Sequence, residues 1–342
     1  FTYAGLADRG VLLDLNDLLA DDQAFGARLR ADSIASLYDT FTFNGGQYAF
    51  PEQWSGNYLF YNTRLFADAG ARPPPGRWDA PWSFAEFLDT AKALTKRDRS
   101  GRVGQWGFVD TWVAMYSSGL FGMNNGVPWS APRMNPTHVN FDSDAFIEGV
   151  QFYADLANKH KVAPTASATQ SMSTMDLFSA GKAAMALGGH WRYQTFDRAE
   201  GLDFDVTVLP TGPRDRAARS NIGTTGLAIA AARPRKRQAW EFVKFATGPE
   251  GQALIGESGL FVPVLRSAVN STGFADAHRR IGNLAVLTGG PAHSEGLPIS
   301  PQWEKINALM DRNFGPVLRG SRPATSLARG LSHEVDEVLR NP

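Results

Sequence analysis

The stretch Phe178-Ser-Ala-Gly-Lys-Ala-Ala-Met-Ala-Leu-Gly-Gly-His-Trp191 decides the architecture. Its amphipathic run to Gly181 reads as the end of a helix, Ala183 to Leu187 as a buried strand, and Gly188-Gly189 as a flexible pair that presents His190 and Trp191. Continuous apolar runs mark strands buried on both faces, and in open α/β sheets ligands sit beyond the carboxyl ends of such strands. Trp191 lies at that end. A Trp so placed can equally be a core corner packed under a turn, and the flanking segments have to discriminate.

At 342 residues the chain exceeds what one core usually supports, so two domains or one large α/β unit is expected. The 34 basic residues balance the 34 acidic ones, and the basic run Arg233-Pro-Arg-Lys-Arg237 reads as a solvated helix entry, so nucleic acid is not an expected partner. No window approaches the roughly 18 uninterrupted apolar residues of a membrane-spanning helix. Cysteine is absent, which removes disulfides, thiolate nucleophiles and Cys-ligated zinc together. The sequence opens on Phe1 without the charged, apolar and small-residue pattern of a leader, so the expectation is a removed leader or a fragment. Nine Trp suit a protein that offers flat apolar faces to a ligand, though cores use Trp too.

Outward from the opening stretch, Phe41 to Phe50 predicts a hairpin around Asn44-Gly45, and Pro51 to Trp54 predicts a break before a buried strand, Tyr58 to Tyr61, that passes between domains. Ser83-Phe-Ala-Glu86 is a capping box that opens a helix. Gln105 to Val109 predicts a strand ending at Asp110 and Trp112, again a carboxylate and an aromatic at a strand end. A helix with Phe146, Val150 and Tyr153 on one face follows Asn140 to Asp144. Phe204 to Leu209 and Leu227 to Ala231 predict further strands, and Gln238 to Phe245 a helix with a wide apolar surface, Trp240 packed in the core.

Several pieces then fall in one order: Gly10 to Leu15, Tyr48-Ala-Phe-Pro51, Phe60-Tyr-Asn62, Pro81 to Phe87, Phe178 to Trp191, Val208-Leu-Pro210, Ala239 to Phe245 and Ser300-Pro-Gln-Trp303. Together they resemble the family 1 extracellular solute-binding proteins of ABC importers, the group containing maltose-binding protein. The resemblance implies an α/β, two-lobed periplasmic-binding-protein fold (type II), with a ligand cleft between lobes joined by hinge strands. It places residues 1–62 and 218–265 in lobe one, and 63–217 and 266–342 in lobe two with the C-terminal helices packing near the hinge. Compared with the family, the first strand–helix–strand units of lobe one are missing ahead of Gly10. The resemblance further implies export, a lipid anchor as the only membrane attachment, a monomer, ABC permease subunits as partners, and no cofactor.

Enzyme motifs are not found: there is no Gly-x-Ser-x-Gly elbow, P-loop or Gly-x-Gly-x-x-Gly, and His333-Glu334 lacks the second His of a zinc-protease helix. Sugar binding asks for aromatic faces against pyranose C–H patches and paired donors and acceptors for hydroxyls. Trp191 and Trp303 carry over from the family as stacking faces. Trp54 with Glu52 and Gln53, then Asp110, Trp112, Tyr116, Gly189, His190, Thr224 and Thr225, complete the expected ligand set, with no metal site. The expected function is the substrate-binding component of a carbohydrate ABC importer taking a mono- or oligosaccharide, an amino sugar if Glu52 and Asp110 both face the cleft. Two alternatives stand beside it. One is a glycerophosphodiester or other polar-metabolite binder, which Arg192 or Arg64 in the cleft would support. The other is a carbohydrate-active hydrolase using Glu52 and Asp110 as its carboxylate pair.

Overall fold

The computed structural model describes residues 2–327 and 330–340. Its strands in chain order are β1 (Thr42–Phe43), β2 (Gly46–Gln47), β3 (Phe50–Asn62), β4 (Lys96–Arg97), β5 (Val103–Asp110), β6 (Ser130–Ala131), β7 (His138–Val139), β8 (Ala183–Gly189), β9 (Phe204–Thr207), β10 (Ser220–Leu227) and β11 (Ser294–Glu295). β1 and β2 form the expected hairpin, with Asn44 and Gly45 at φ 48° and 85° as a two-residue turn of this kind requires. The main sheet runs β11-β10-β3-β8-β5-β4, with β9 also on β3.

β3 organises this sheet because its two halves have different partners. Residues Phe50 to Gly56 pair antiparallel with β10, whereas Asn57 to Asn62 pair antiparallel with β8 and β9. β3 thus exchanges partners between Gly56 and Asn57, with β10 running beside its first half. The break expected at Pro51 to Trp54 is absent: Pro51 sits opposite Gly226 beside a register irregularity of β10, where the missing proline N–H is tolerated. The strand expected at Leu227 to Ala231 is displaced to Ser220–Leu227, whose β-branched Thr224 and Thr225 pair with Trp54 and Gln53.

Packing assigns the rest. One side of lobe two is a single apolar body in which Phe87, Phe108, Phe121, Phe146 and Phe314 are buried, each full burial being worth about 1.5–3 kcal/mol. It includes the C-terminal helices, Trp303–Leu318 and Leu331–Arg340. The capping box closes as expected, with Ser83 Oγ accepting from the Glu86 N–H and Glu86 accepting from the Ser83 N–H. In lobe one, Leu37, Trp54, Ile222 and Val262 pack with Val269 and Phe274. Helix Thr272–Ala277, which carries Phe274 of this cluster, packs on helix Pro249–Ser258. Trp240 is core, packed edge-on to Phe25, but Phe242 and Phe245 are 60% and 47% exposed, so helix Lys236–Thr247 is covered on one face only.

Candidate functional site

β5 and β8 are parallel neighbours, with Asp110 opposite Leu187, so their carboxyl ends emerge side by side. Each then turns, and hydrogen bonds lock the two turns together. The Thr111 N–H and Oγ1 both donate to the Leu187 carbonyl at 2.8 Å, and Trp112 N–H donates to Asp110 Oδ1 at 2.8 Å. Arg192 Nε, from the β8 turn, donates to the Thr111 carbonyl at 3.2 Å. These bonds set Trp112 6.3 Å from Trp191 and 5.4 Å from Tyr116, centroid to centroid. All three rings are half-buried and form one corner. Tyr116 is held from the other side by its hydroxyl, which donates to Asn307 Oδ1 at 2.6 Å.

Gly189 is the floor of this corner. A Cβ there would lie 2.0 Å from a ring carbon of Trp191, so the indole rests on the glycine backbone itself. Beside the corner opens a cavity of about 590 Å³ whose walls include Phe108, Asp110, Trp112, Tyr153, Ala157 and Thr165. Asp110 sits where corner and cavity meet. Burial raises its carboxyl pKa, against the opposing hydrogen bonds from the Tyr153 hydroxyl and the Trp112 N–H. Burial and the neighbouring carboxylate push the Tyr153 phenol well up in turn, so it stays a donor. Among the described residues, no group of three or more His, Asp and Glu could hold a metal ion.

Of the residues expected to contact a ligand, the structure brings Asp110, Trp112, Tyr116, Gly189 and Trp191 together and sets others apart from them. Trp54 is fully buried, its indole N–H donating to the Pro263 carbonyl at 2.8 Å, because its strand position faces the first-lobe core. His190 is also fully buried and bonds His278, so it does not turn towards a sugar hydroxyl. Trp303 is 4% exposed, packed with the second-lobe core, and also lines a small cavity of about 90 Å³ with Thr2, Gly5 and Leu6.

Glu52, Gln53, Thr224 and Thr225 form one polar patch on the first-lobe half of β3 and β10. Gln53 Nε2 donates to Thr225 Oγ1 at 2.7 Å, and Thr225 Oγ1 to Glu52 Oε1 at 3.0 Å. That patch is far from Asp110. Asp110 is level with Leu187 and hence with Leu59, and from Leu59 back to Glu52 the strand advances seven residues, roughly 23 Å at about 3.3 Å each. Hydrolytic carboxylate pairs stand about 5–9.5 Å apart, so Glu52 and Asp110 are not one. For the same reason they cannot grip one amino group together. The contributions of Tyr153 and Ala157 were not legible beforehand, since both sit at helical spacing within an apolar face and read as core.

Residues 1–253 match the sequence model of the family described as Bacterial extracellular solute-binding protein, and the chain belongs to that family, a family of solute-binding proteins and not of enzymes. Its fold is the two-lobed periplasmic-binding-protein fold. Among solved structures it is similar to the ABC substrate-binding protein Lmo0181 of Listeria monocytogenes in complex with cycloalternan, at 22% identity and TM-score 0.86, over 99% of this chain and 83% of that one. It is also similar to UgpB of Mycobacterium tuberculosis in complex with glycerophosphocholine, at 22% identity and TM-score 0.78, over 99% and 82% of the two chains. In sequence it is 23% identical to the diacetylchitobiose binding protein DasA of Streptomyces coelicolor, over 97% of this chain and 74% of that protein.

Proposed function

We propose that the protein is the substrate-binding component of a carbohydrate ABC importer, exported and held at the outer face of the cell membrane by a lipid anchor. As a monomer, it captures a saccharide between its lobes and hands it to the permease subunits. The observation that carries this reading is the corner of Trp112, Tyr116 and Trp191 at the carboxyl ends of two parallel strands. Its indole and phenol faces suit pyranose C–H patches, while Asp110 offers carboxylate oxygens to hydroxyl donors beside them. The saccharides named with the Listeria and Streptomyces relatives support the same class.

The adjoining cavity, at about 590 Å³, lies in the range of roughly 300–1,000 Å³ usual for small-molecule sites and extends the corner beyond one ring. An oligosaccharide therefore fits better than a monosaccharide. Ala157→Phe, which fills part of the cavity, is expected to weaken a bound trisaccharide by about tenfold and to leave the matching monosaccharide within about twofold, measured by calorimetry. Equal effects on both would remove the cavity from the site. The phosphodiester reading asks for a basic group turned to the ligand, and Arg192 instead donates from Nε and Nη2 to the Thr111 carbonyl. Titration with glycerophosphocholine beside the sugar panel tests that reading, and tighter binding of the phosphodiester would favour it.

A further inference from the structure

Two buried histidines meet where the strand end that bears Trp191 touches the first lobe. His190 follows β8 directly, and His278 follows the first-lobe helix Thr272–Ala277. They are 0% and 1% exposed, and their Nε2 atoms are 2.7 Å apart. Two bare nitrogen lone pairs do not approach that closely, so one of the two nitrogens carries a hydrogen. The second nitrogen of His278 decides which. Its Nδ1 lies 2.7 Å from the Phe274 carbonyl, which only accepts, so Nδ1 holds the hydrogen and the neutral ring's Nε2 is an acceptor. His190 Nε2–H is therefore the donor. Its Nδ1 makes no hydrogen bond of ordinary geometry, and the Leu260 backbone acts only weakly on the ring.

The same residue is fixed through its backbone, since the His190 N–H donates to Ser55 Oγ on β3 at 2.9 Å. Backbone and ring together hold the turn from Gly189 to Arg192, which carries Trp191 into the corner. We propose that His278 is a positioning residue for the ligand site, accepting the His190 hydrogen bond from the first lobe and so fixing the turn that presents Trp191. This rests on the reading of Trp191 as a sugar-facing ring. The orientation of the second-lobe aromatic corner is thereby tied to a first-lobe helix, and lobe arrangement and ligand geometry become one variable.

The bond requires the accepting ring, His278, to be neutral, and burial keeps both rings so. Burial first, then His278, hold the His190 pKa down to about 3, against a smaller opposing pull from the Leu260 backbone. Burial also lowers His278, against the Phe274 carbonyl and Asp197. Tyr193 faces both rings, and burial pushes its phenol up to about 12, so it stays uncharged. Asp197 receives the Tyr193 hydroxyl and pairs with Arg280 at 3.7 Å. In the unfolded chain His190 would titrate near about 6.5. A folded pKa below that value means the stabilisation is complete above about pH 6.5 and is lost progressively as pH falls towards about 3.

The experiment is nuclear magnetic resonance on the ligand-free protein and its variants, followed by calorimetry with a maltooligosaccharide and chitooligosaccharide panel. Near neutral pH the wild type is expected to show His278 protonated at Nδ1 and His190 at Nε2; the reverse tautomers would overturn the assignment. His278→Leu is expected to displace the Trp191 indole resonance and weaken saccharide binding by about tenfold or more, and His278→Gln, which keeps an acceptor, to recover affinity to within about threefold. A Trp191 resonance unmoved in both variants would sink the positioning role. If His278→Leu does not fold, the wild-type tautomers and the Gln variant still decide. A wild type that binds no saccharide, with the Trp191 resonance displaced in the Leu variant, would support the positioning and reject the sugar reading alone.

Discussion

Replacing Trp191 by alanine is expected to weaken saccharide binding by roughly 30-fold, about 2 kcal/mol, while leaving the fold intact. The ring is half-buried, sits on Gly189 and leans on Trp112, so its removal takes away one wall of the corner and loosens the second. None of the buried clusters of either lobe includes it, which is why stability should change little. Gly189→Ala should lower affinity by another route, because its Cβ would drive the indole off its floor. Calorimetric titration of the three proteins with the same oligosaccharide, with unfolding curves alongside, separates lost binding from lost structure. Unchanged affinity in Trp191→Ala would mean that the ligand lies elsewhere.

The largest expected effect on stability is at Gly107. A Cβ on this β5 residue would stand 1.9 Å from the carbonyl oxygen of Ala91 and 2.6 Å from its carbonyl carbon. Both are backbone atoms of helix Phe84–Leu94, so no rotamer change relieves the contact, and the helix must lift from the sheet. That helix buries Phe84, Phe87, Ala91 and Leu94. Overpacking of this kind costs about 1–3 kcal/mol where neighbours yield, so Gly107→Ala should reach or exceed about 3 kcal/mol. Urea unfolding measures it. A loss below about 1 kcal/mol would show that helix and strand are less closely packed than described.

The fold was legible wherever a local signal and the sheet agreed. Continuous apolar character from Ala183 to Leu187 gave a strand buried on both faces, and Asn44-Gly45 gave a hairpin, because both patterns act over a few residues. β3 was harder to read. Pro51 and the polar pair after it look like a break, and only the pairing with β10 shows why the strand continues. The site divides in the same way. Asp110 with Trp112, and Gly189 with Trp191, each follow a strand end and could be found from that position. Trp54 could not be sorted from them, since its burial depends on which face of β3 the distant residues Leu37, Val264 and Phe274 cover. The His190–His278 bond joins residues 88 apart and had no sequence signature.

A saccharide is expected to bind at the carboxyl ends of β5 and β8. Amide hydrogen exchange with and without saturating oligosaccharide tests it most directly, because it reports position without a substitution. Protection is predicted at Asp110 to Tyr116 and Gly188 to Arg192, the two turns that carry the aromatic corner. Saturated binding with exchange in both turns unchanged would contradict the account.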